Sequence, residues 1–237
     1  MARTSNHGRL PSLAAVGVIM AIARPTEVRA DRGDGDIAPA SWSPRVRKIV
    51  NQQMAAALAN PAVQKKFRAE MAKAKTMAER RALGESLGSQ LSHDGLASLP
   101  LADLLTWNQL RLKIAESSPA MCAYYFDGGA VPQNDLGAAL ATLSDGEVRA
   151  WYRVMTKSMV LAAGGAPQGP GDQAIVQQGL ARAAEKLPPA DRERLDADLT
   201  AGTVGRPAES CFVMKTILRH AAGKPTDEQF LREFARM

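Results

Sequence analysis

The sequence predicts an all-α protein, an irregular bundle of about seven to nine helices. Only 5% of the 237 residues are aromatic, and the chain is rich in Ala, Leu and Met, whose side chains lose little entropy in a helix. Apolar residues recur at helical spacing behind recognisable helix-start signals. No segment shows the sustained alternation of a β-strand, and only the apolar run at residues 121–126 is ambiguous.

Residues 1–30 have the pattern of an export signal peptide. Arg3 and Arg9 give a positive start, and residues 13–23 form an apolar core. Residues 28–30 (Val-Arg-Ala) then supply small residues at the spacing that a signal peptidase recognises. We therefore expect a periplasmic or secreted protein after cleavage.

Two alternatives to this cleavage remain open at the sequence level. Residues 21–23 offer a second cleavage site, and an uncut leader would be retained as an anchor, although its apolar stretch is short for a bilayer. Residues 31–43 are rich in Gly, Asp and Ala without an apolar period, which predicts a flexible arm. Residues 44–237 are expected to form a single helical domain with no transmembrane helix.

Local signals predict where the helices of this domain begin. Ser43-Pro44 is an N-cap followed by proline, and Asn60-Pro61 ends the first helix and starts a second that runs to about residue 91. Capping boxes at residues 144–147 and 226–229 start two later helices. The remaining helices are expected at residues 101–117, 119–127, 136–141, 172–186, 190–200 and 208–222.

The helix at residues 101–117 is apolar on most of its circumference, so we expect it at the centre of the fold. The methionines lie at helical spacing and are expected to fill the core. They are Met54, Met71, Met77, Met155, Met159 and Met214.

Cys122 and Cys211 are the chain's two cysteines. An even count in an exported protein favours a disulfide over two buried thiols, which are the alternative. The bond would close a loop of roughly 90 residues and stabilise the fold by about 4–5 kcal/mol on a chain-entropy model.

The chain lacks the common sequence motifs of catalysis and of metal or cofactor binding. The chain has no zinc-protease, Cys-x-x-Cys, nucleophile-elbow, phosphate-loop or dinucleotide motif. The two histidines beyond the leader are His93, in a polar turn beside Asp94, and His220, near a helix C-terminus where a cation interacts well with the helix dipole. We therefore expect no cofactor and no metal, and an enzyme is the less favoured class.

Charge is strongly segregated along the chain. Without the leader, 26 basic residues face 23 acidic ones, so the high overall charge is weak support for nucleic-acid binding and none is expected. Residues 45–81 contain ten basic and two acidic side chains. This excess indicates an interaction surface for an acidic protein or an anionic envelope surface, while a solvated face neutralised by neighbouring helices is the alternative. The candidate surface residues are Arg47, Lys65, Lys66, Arg68, Lys73, Lys75, Arg80 and Arg81.

These features favour a non-enzymatic interaction protein of the cell envelope, such as an adaptor or an inhibitor. A second hypothesis is a carrier of an apolar small molecule, with a pocket lined by Trp107, Trp151, Tyr152 and methionines. A third is a hydrolase or lyase whose dispersed site includes His93 or His220.

Overall fold

A computed structural model describes residues 37–127, 132–166, 169–202, 206–223 and 226–237, without the side chains of Ala78, Arg81, Glu85 and Asp127. These residues form eleven α-helices, one short 3-10 helix and no strand. The all-α prediction is confirmed, but the predicted number of seven to nine helices is wrong. The predicted signal peptide and the first part of the predicted arm lie outside the described residues.

The helices follow one another with short connections. A 3-10 helix, Leu96–Ser98, lies between α3 and α4. The α-helices are α1 (Pro44–Leu58), α2 (Pro61–Met71), α3 (Met77–Asp94), α4 (Leu101–Ser117), α5 (Pro119–Asp127), α6 (Gln133–Thr142), α7 (Asp145–Ala163), α8 (Gln173–Glu185), α9 (Pro189–Ala201), α10 (Pro207–Ala222) and α11 (Glu228–Phe234).

A break at residues 72–76 divides the predicted second helix into α2 and α3. Thr76 caps α3, because its hydroxyl accepts a hydrogen bond from the Glu79 N–H at 3.1 Å. The Glu79 carboxylate in turn accepts from the Thr76 N–H at 3.0 Å. This capping box stabilises a new helix start, which sequence analysis overlooked.

The predicted capping box at Ser144 is confirmed, with reciprocal bonds between Ser144 and Glu147. The box predicted at residues 226–229 is wrong in its first residue. Asp227, and not Thr226, is the N-cap of α11, and its carboxylate accepts from the Phe230 N–H at 3.1 Å.

The core is organised around α4 and α7, whose Trp107 and Trp151 rings stack with centroids 4.1 Å apart. Helix α4 contacts α5, α6, α7, α10 and α11, which confirms its predicted central position. Helix α7 contacts α1, α2 and α3 on its other side.

Helices α3 and α7 approach each other at backbone distance. Gly84, Gly88 and Ser92 recur every four residues on α3 and are all buried. The Ser158 hydroxyl donates to the Ser92 carbonyl at 2.6 Å, and a Cβ on Gly95 would lie only 2.0 Å from the Ser158 carbonyl oxygen. Because Gly95 has no side chain, the end of α3 can pack this closely against Ser158 of α7.

Residues 37–42 lie against the bundle. The N–H groups of Ile37 and Ala38 donate to the Asn51 side chain at 2.8 and 2.9 Å. Trp42 is buried, and its indole N–H donates to the Gln133 carbonyl at 2.8 Å. This part of the predicted arm thus contacts α1 and α6.

The two cysteines lie at disulfide distance, with Sγ atoms 2.11 Å apart and Cα atoms 4.9 Å apart. Cys122 belongs to α5 and Cys211 to the first part of α10, and both are buried. None of the helices in the described ranges has the length and apolarity that a bilayer-spanning segment requires.

Candidate interaction surface

Exposed cationic side chains cover α2, the linker that follows it and the first turn of α3. We call this surface the basic face. It consists of six of the eight residues proposed from the sequence: Lys65, Lys66, Arg68, Lys73, Lys75 and Arg80.

The amphipathic pattern of α2 explains why these cations point outward. Val63 and Phe67, four residues apart, are fully buried and lie on one side of the helix. Helix α2 packs through this side against α1, α3 and α7. Lys65 and Lys66 lie between these two residues and Arg68 directly after them, away from the buried side, and all three are exposed.

Few carboxylates neutralise the basic face. Lys73 Nζ lies 2.7 Å from the Glu70 carboxylate. Glu79 accepts hydrogen bonds from the backbone N–H groups of residues 75 and 76. Within the described part of the chain, Lys65, Lys66, Arg68, Lys75 and Arg80 form no ion pair. Neighbouring acidic helices therefore do not pair with most of these cations.

Two residues proposed for this surface are not part of the basic face. Arg47 is half-buried on α1, and the side chain of Arg81 lies outside the described set. Another cation of the same segment, Arg45, contributes to helix packing, because it pairs with Asp145 at 2.6 Å and donates to the carbonyls of Ala141 and Leu143.

Met77 adds an apolar side chain to the basic face. It is 53% exposed, and Arg80 Nη1 lies 4.0 Å from its sulfur. The expectation that Met77 fills the core is wrong, because Met77 is the first residue of α3 and protrudes at the helix start. Its position directly after the overlooked N-cap Thr76 was the sequence signal for this exposure.

The two histidines each lie beside one aspartate. The closest nitrogen–oxygen distances are 3.7 Å both for His93 and Asp94 and for His220 and Asp227, which is longer than a hydrogen bond. The His220 side chain is buried edge-on against Phe230, and burial, followed by the positive charge of Lys186, lowers its pKa. At these distances, neither histidine is hydrogen-bonded to its aspartate as an acid–base pair would be. Among the described residues, no three His, Cys, Asp or Glu side chains cluster as metal ligands would.

A groove with a volume of about 390 Å³ opens at the surface between the end of α1 and α7. Trp107, Trp151 and Tyr152, proposed as the lining of a carrier pocket, are instead buried in the core. The groove is lined by Ala56, Ala57, Asn60, Pro100, Thr156, Lys157, Val160 and Leu161.

The core also holds polar groups that sequence analysis overlooked. Arg111 is only 9% exposed, and its guanidinium carbon lies 4.8 Å from the Tyr125 ring centroid and 5.5 Å from that of Phe234. The hydroxyls of Tyr125 and Tyr152 are buried without a hydrogen-bond partner among the described residues. The sequence signal was the position of Arg111, four residues after Trp107 and thus on the apolar side of α4.

The basic face can attract and orient an anionic partner, since five of its six cations form no ion pair within the described part of the chain. No protein-family model, no curated protein and no solved structure matches this chain.

Proposed function

We propose that this protein is a non-enzymatic interaction protein of the cell envelope, and that its basic face docks onto an acidic partner protein. The observation that carries the proposal is the basic face itself. It presents six exposed cations, of which one is paired with a carboxylate within the described part of the chain.

An acidic protein is favoured over a lipid surface because the apolar side of α2 is buried against the other helices. A helix that lies in a membrane interface inserts such a side among the lipids. Here Val63 and Phe67 are buried in the bundle, so α2 offers a lipid surface its cations and little apolar area. Methionine and arginine are enriched at protein–protein interfaces, and Met77 and Arg80 are adjacent on this face.

The compartment is part of the same proposal. The leader pattern of residues 1–30 is the sequence argument for export. The cysteine pair at disulfide distance supports an oxidising compartment, where disulfides persist, over the cytosol, where thiols are kept reduced. We therefore place the partner in the periplasm or outside the cell.

Site-specific photocrosslinking in the native host tests the proposal. A photoreactive amino acid at Ala69, an exposed position of α2 close to Lys65, Lys66 and Lys73, should form an adduct with an acidic protein. The charge reversal Lys65→Glu/Lys66→Glu should abolish the adduct, because it reverses cations that contribute to attraction.

The matched control is Arg149→Glu/Arg153→Glu. Both arginines are exposed on α7, and the double variant changes the net charge by the same amount. It should leave the adduct intact. An adduct lost equally in both variants, or one that survives Lys65→Glu/Lys66→Glu, would refute docking through the basic face. Cosedimentation with anionic phospholipid vesicles, in the absence of an acidic protein adduct, would refute the choice of partner.

A further inference from the structure

Met77 differs from the other described methionines in its exposure to solvent. It is 53% exposed, and no other large apolar residue in the described part of the chain is exposed. Met71 and Met237 are partly buried. The methionines of the core are shielded from solvent, and they are Met54, Met121, Met155, Met159 and Met214. A reagent dissolved in the surrounding water therefore reaches Met77 most readily.

The surroundings of Met77 are cationic. The exposed Lys73 and Lys75 precede it, and Arg80 follows it in the first turn of α3. Arg80 Nη1 lies 4.0 Å from the Met77 sulfur. An oxygen atom added to the sulfur on this side would come within hydrogen-bond reach of the Arg80 N–H, since such bonds join N and O atoms about 2.7–3.2 Å apart. A charge-assisted hydrogen bond from Arg80 thus stabilises a sulfoxide at Met77.

We propose that Met77 is a reversible oxidation site for peroxides, and that its oxidation weakens docking through the basic face. The effect on docking rests on the function proposed above, whereas the oxidation site does not. Methionine oxidation is reversible because sulfoxide reductases restore the thioether.

The reaction is a two-electron oxidation of the Met77 thioether by hydrogen peroxide. A lone pair of the sulfur attacks one peroxide oxygen, so that an S–O bond forms as the O–O bond breaks. The proton of the transferred oxygen passes to the departing hydroxide, which leaves as water. The sulfur is oxidised and the peroxide is reduced, and the products are one sulfoxide and one water molecule.

Oxidation changes two properties of the basic face that favour a protein partner. It converts the exposed apolar side chain of Met77 into a polar one. The sulfoxide oxygen also accepts a hydrogen bond from Arg80, and it therefore competes with an acidic group of the partner for the Arg80 guanidinium. The lysines of the face keep their charge, so docking is weakened and not abolished.

Limited oxidation of the folded, purified protein tests the site. Peptide mass spectrometry should show that hydrogen peroxide oxidises Met77 at least about tenfold faster than Met54 or Met214, because oxidation follows exposure. The helical circular dichroism signal should not change. Met77→Leu should remove the fast oxidation, and the matched variant Met71→Leu should retain it. Oxidation of Met77 no faster than that of the core methionines would overturn the site.

The affinity for the crosslinked acidic partner tests the effect on docking. Oxidation should raise the dissociation constant of the wild type at least about threefold, the effect of losing one modest interface contact. A methionine sulfoxide reductase should restore the affinity. Met77→Leu should bind as the reduced wild type does and should not respond to peroxide. Fast oxidation of Met77 with unchanged affinity would overturn the effect on docking.

Failure of the docking function and failure of the oxidation site give different results. If no acidic protein forms an adduct, the docking function and its weakening by oxidation are both refuted, while the oxidation rates still decide whether Met77 is a modification site. If Lys65→Glu/Lys66→Glu abolishes binding and oxidation leaves it unchanged, the docking function stands and its control through Met77 is refuted.

Discussion

The close approach of α3 and α7 gives a quantitative prediction for Gly95→Ala. The new Cβ would lie 2.0 Å from the Ser158 carbonyl oxygen, 2.6 Å from its carbonyl carbon and 2.8 Å from its hydroxyl oxygen. Ordinary contact needs about 3.5 Å, so the two helices must separate locally by roughly 1.5 Å. Gly95 has φ −89° and ψ −9°, which alanine can adopt, and the effect is therefore steric.

The expected loss of stability follows from this displacement. Forcing an extra methyl group into a packed interface costs about 1–3 kcal/mol. Weakening the 2.6 Å bond between Ser158 and Ser92 costs about 1 kcal/mol more. We expect the free energy of unfolding to fall by about 2–4 kcal/mol and the melting temperature by about 4–16 °C.

Circular dichroism during thermal and guanidinium unfolding measures both quantities. Gly146→Ala is the matched control, because Gly146 lies in the first turn of α7 and has no atom within 4 Å of a built Cβ. This control should be neutral or stabilising by up to about 1 kcal/mol, since alanine favours the helix. If Gly95→Ala is as stable as the wild type, the helices do not meet at backbone distance, and the packing argument is refuted.

Two further predictions concern the cysteine pair and the buried histidine. Cys122→Ala/Cys211→Ala should lower the free energy of unfolding by about 3–5 kcal/mol, measured in guanidinium without reductant, because a cross-link over 89 residues restricts the unfolded chain. A reductant should destabilise the wild type and leave the double variant unchanged. Equal stability of the two proteins would contradict a formed disulfide. Burial lowers the pKa of His220 in the folded state, so the unfolded chain binds the proton more readily, and stability should be complete above about pH 6.5 and fall as the pH drops below it. Asp227, Arg182 and Lys186 face this histidine. His220→Gln should flatten the dependence of stability on pH between about pH 7.5 and pH 5.5 relative to the wild type. An unchanged slope in this variant would show that His220 does not cause the pH dependence.

Helix starts were predictable from the sequence because caps are local. Ser43, Asn60 and Ser144 each cap a helix as their patterns indicate. The cap at Thr76 follows the same rule, and its omission merged α2 with α3. At α11 two adjacent residues could act as the cap, and the docking of the helix selected Asp227.

Helix interiors were harder to predict because tertiary packing decides the role of a residue there. Gly84 and Gly88 have low helix propensity, yet α3 continues through both. Both glycines are buried in the bundle. No local signal reveals a tertiary contact such as the one between Ser158 and Ser92, which are 66 residues apart.

The candidate surface was largely predictable, since cations between apolar positions of an amphipathic helix must face solvent. The outcomes at Arg47 and Met77 depended on neighbouring helices and on the break before α3. Arg111 escaped prediction for a related reason. Its position on the apolar side of α4 is visible in the sequence, but its contacts with the rings of Tyr125 and Phe234 emerge only after α5 and α11 pack around it.

The affinity of the purified protein for its crosslinked acidic partner tests the central proposal most directly. Measured at low and at physiological ionic strength, the dissociation constant should rise with salt as charges are screened. Lys65→Glu/Lys66→Glu should weaken binding at least about tenfold, which corresponds to about 1.4 kcal/mol, and Arg149→Glu/Arg153→Glu should change it little. Equal affinity of the wild type and both variants, independent of salt, would contradict binding through the basic face.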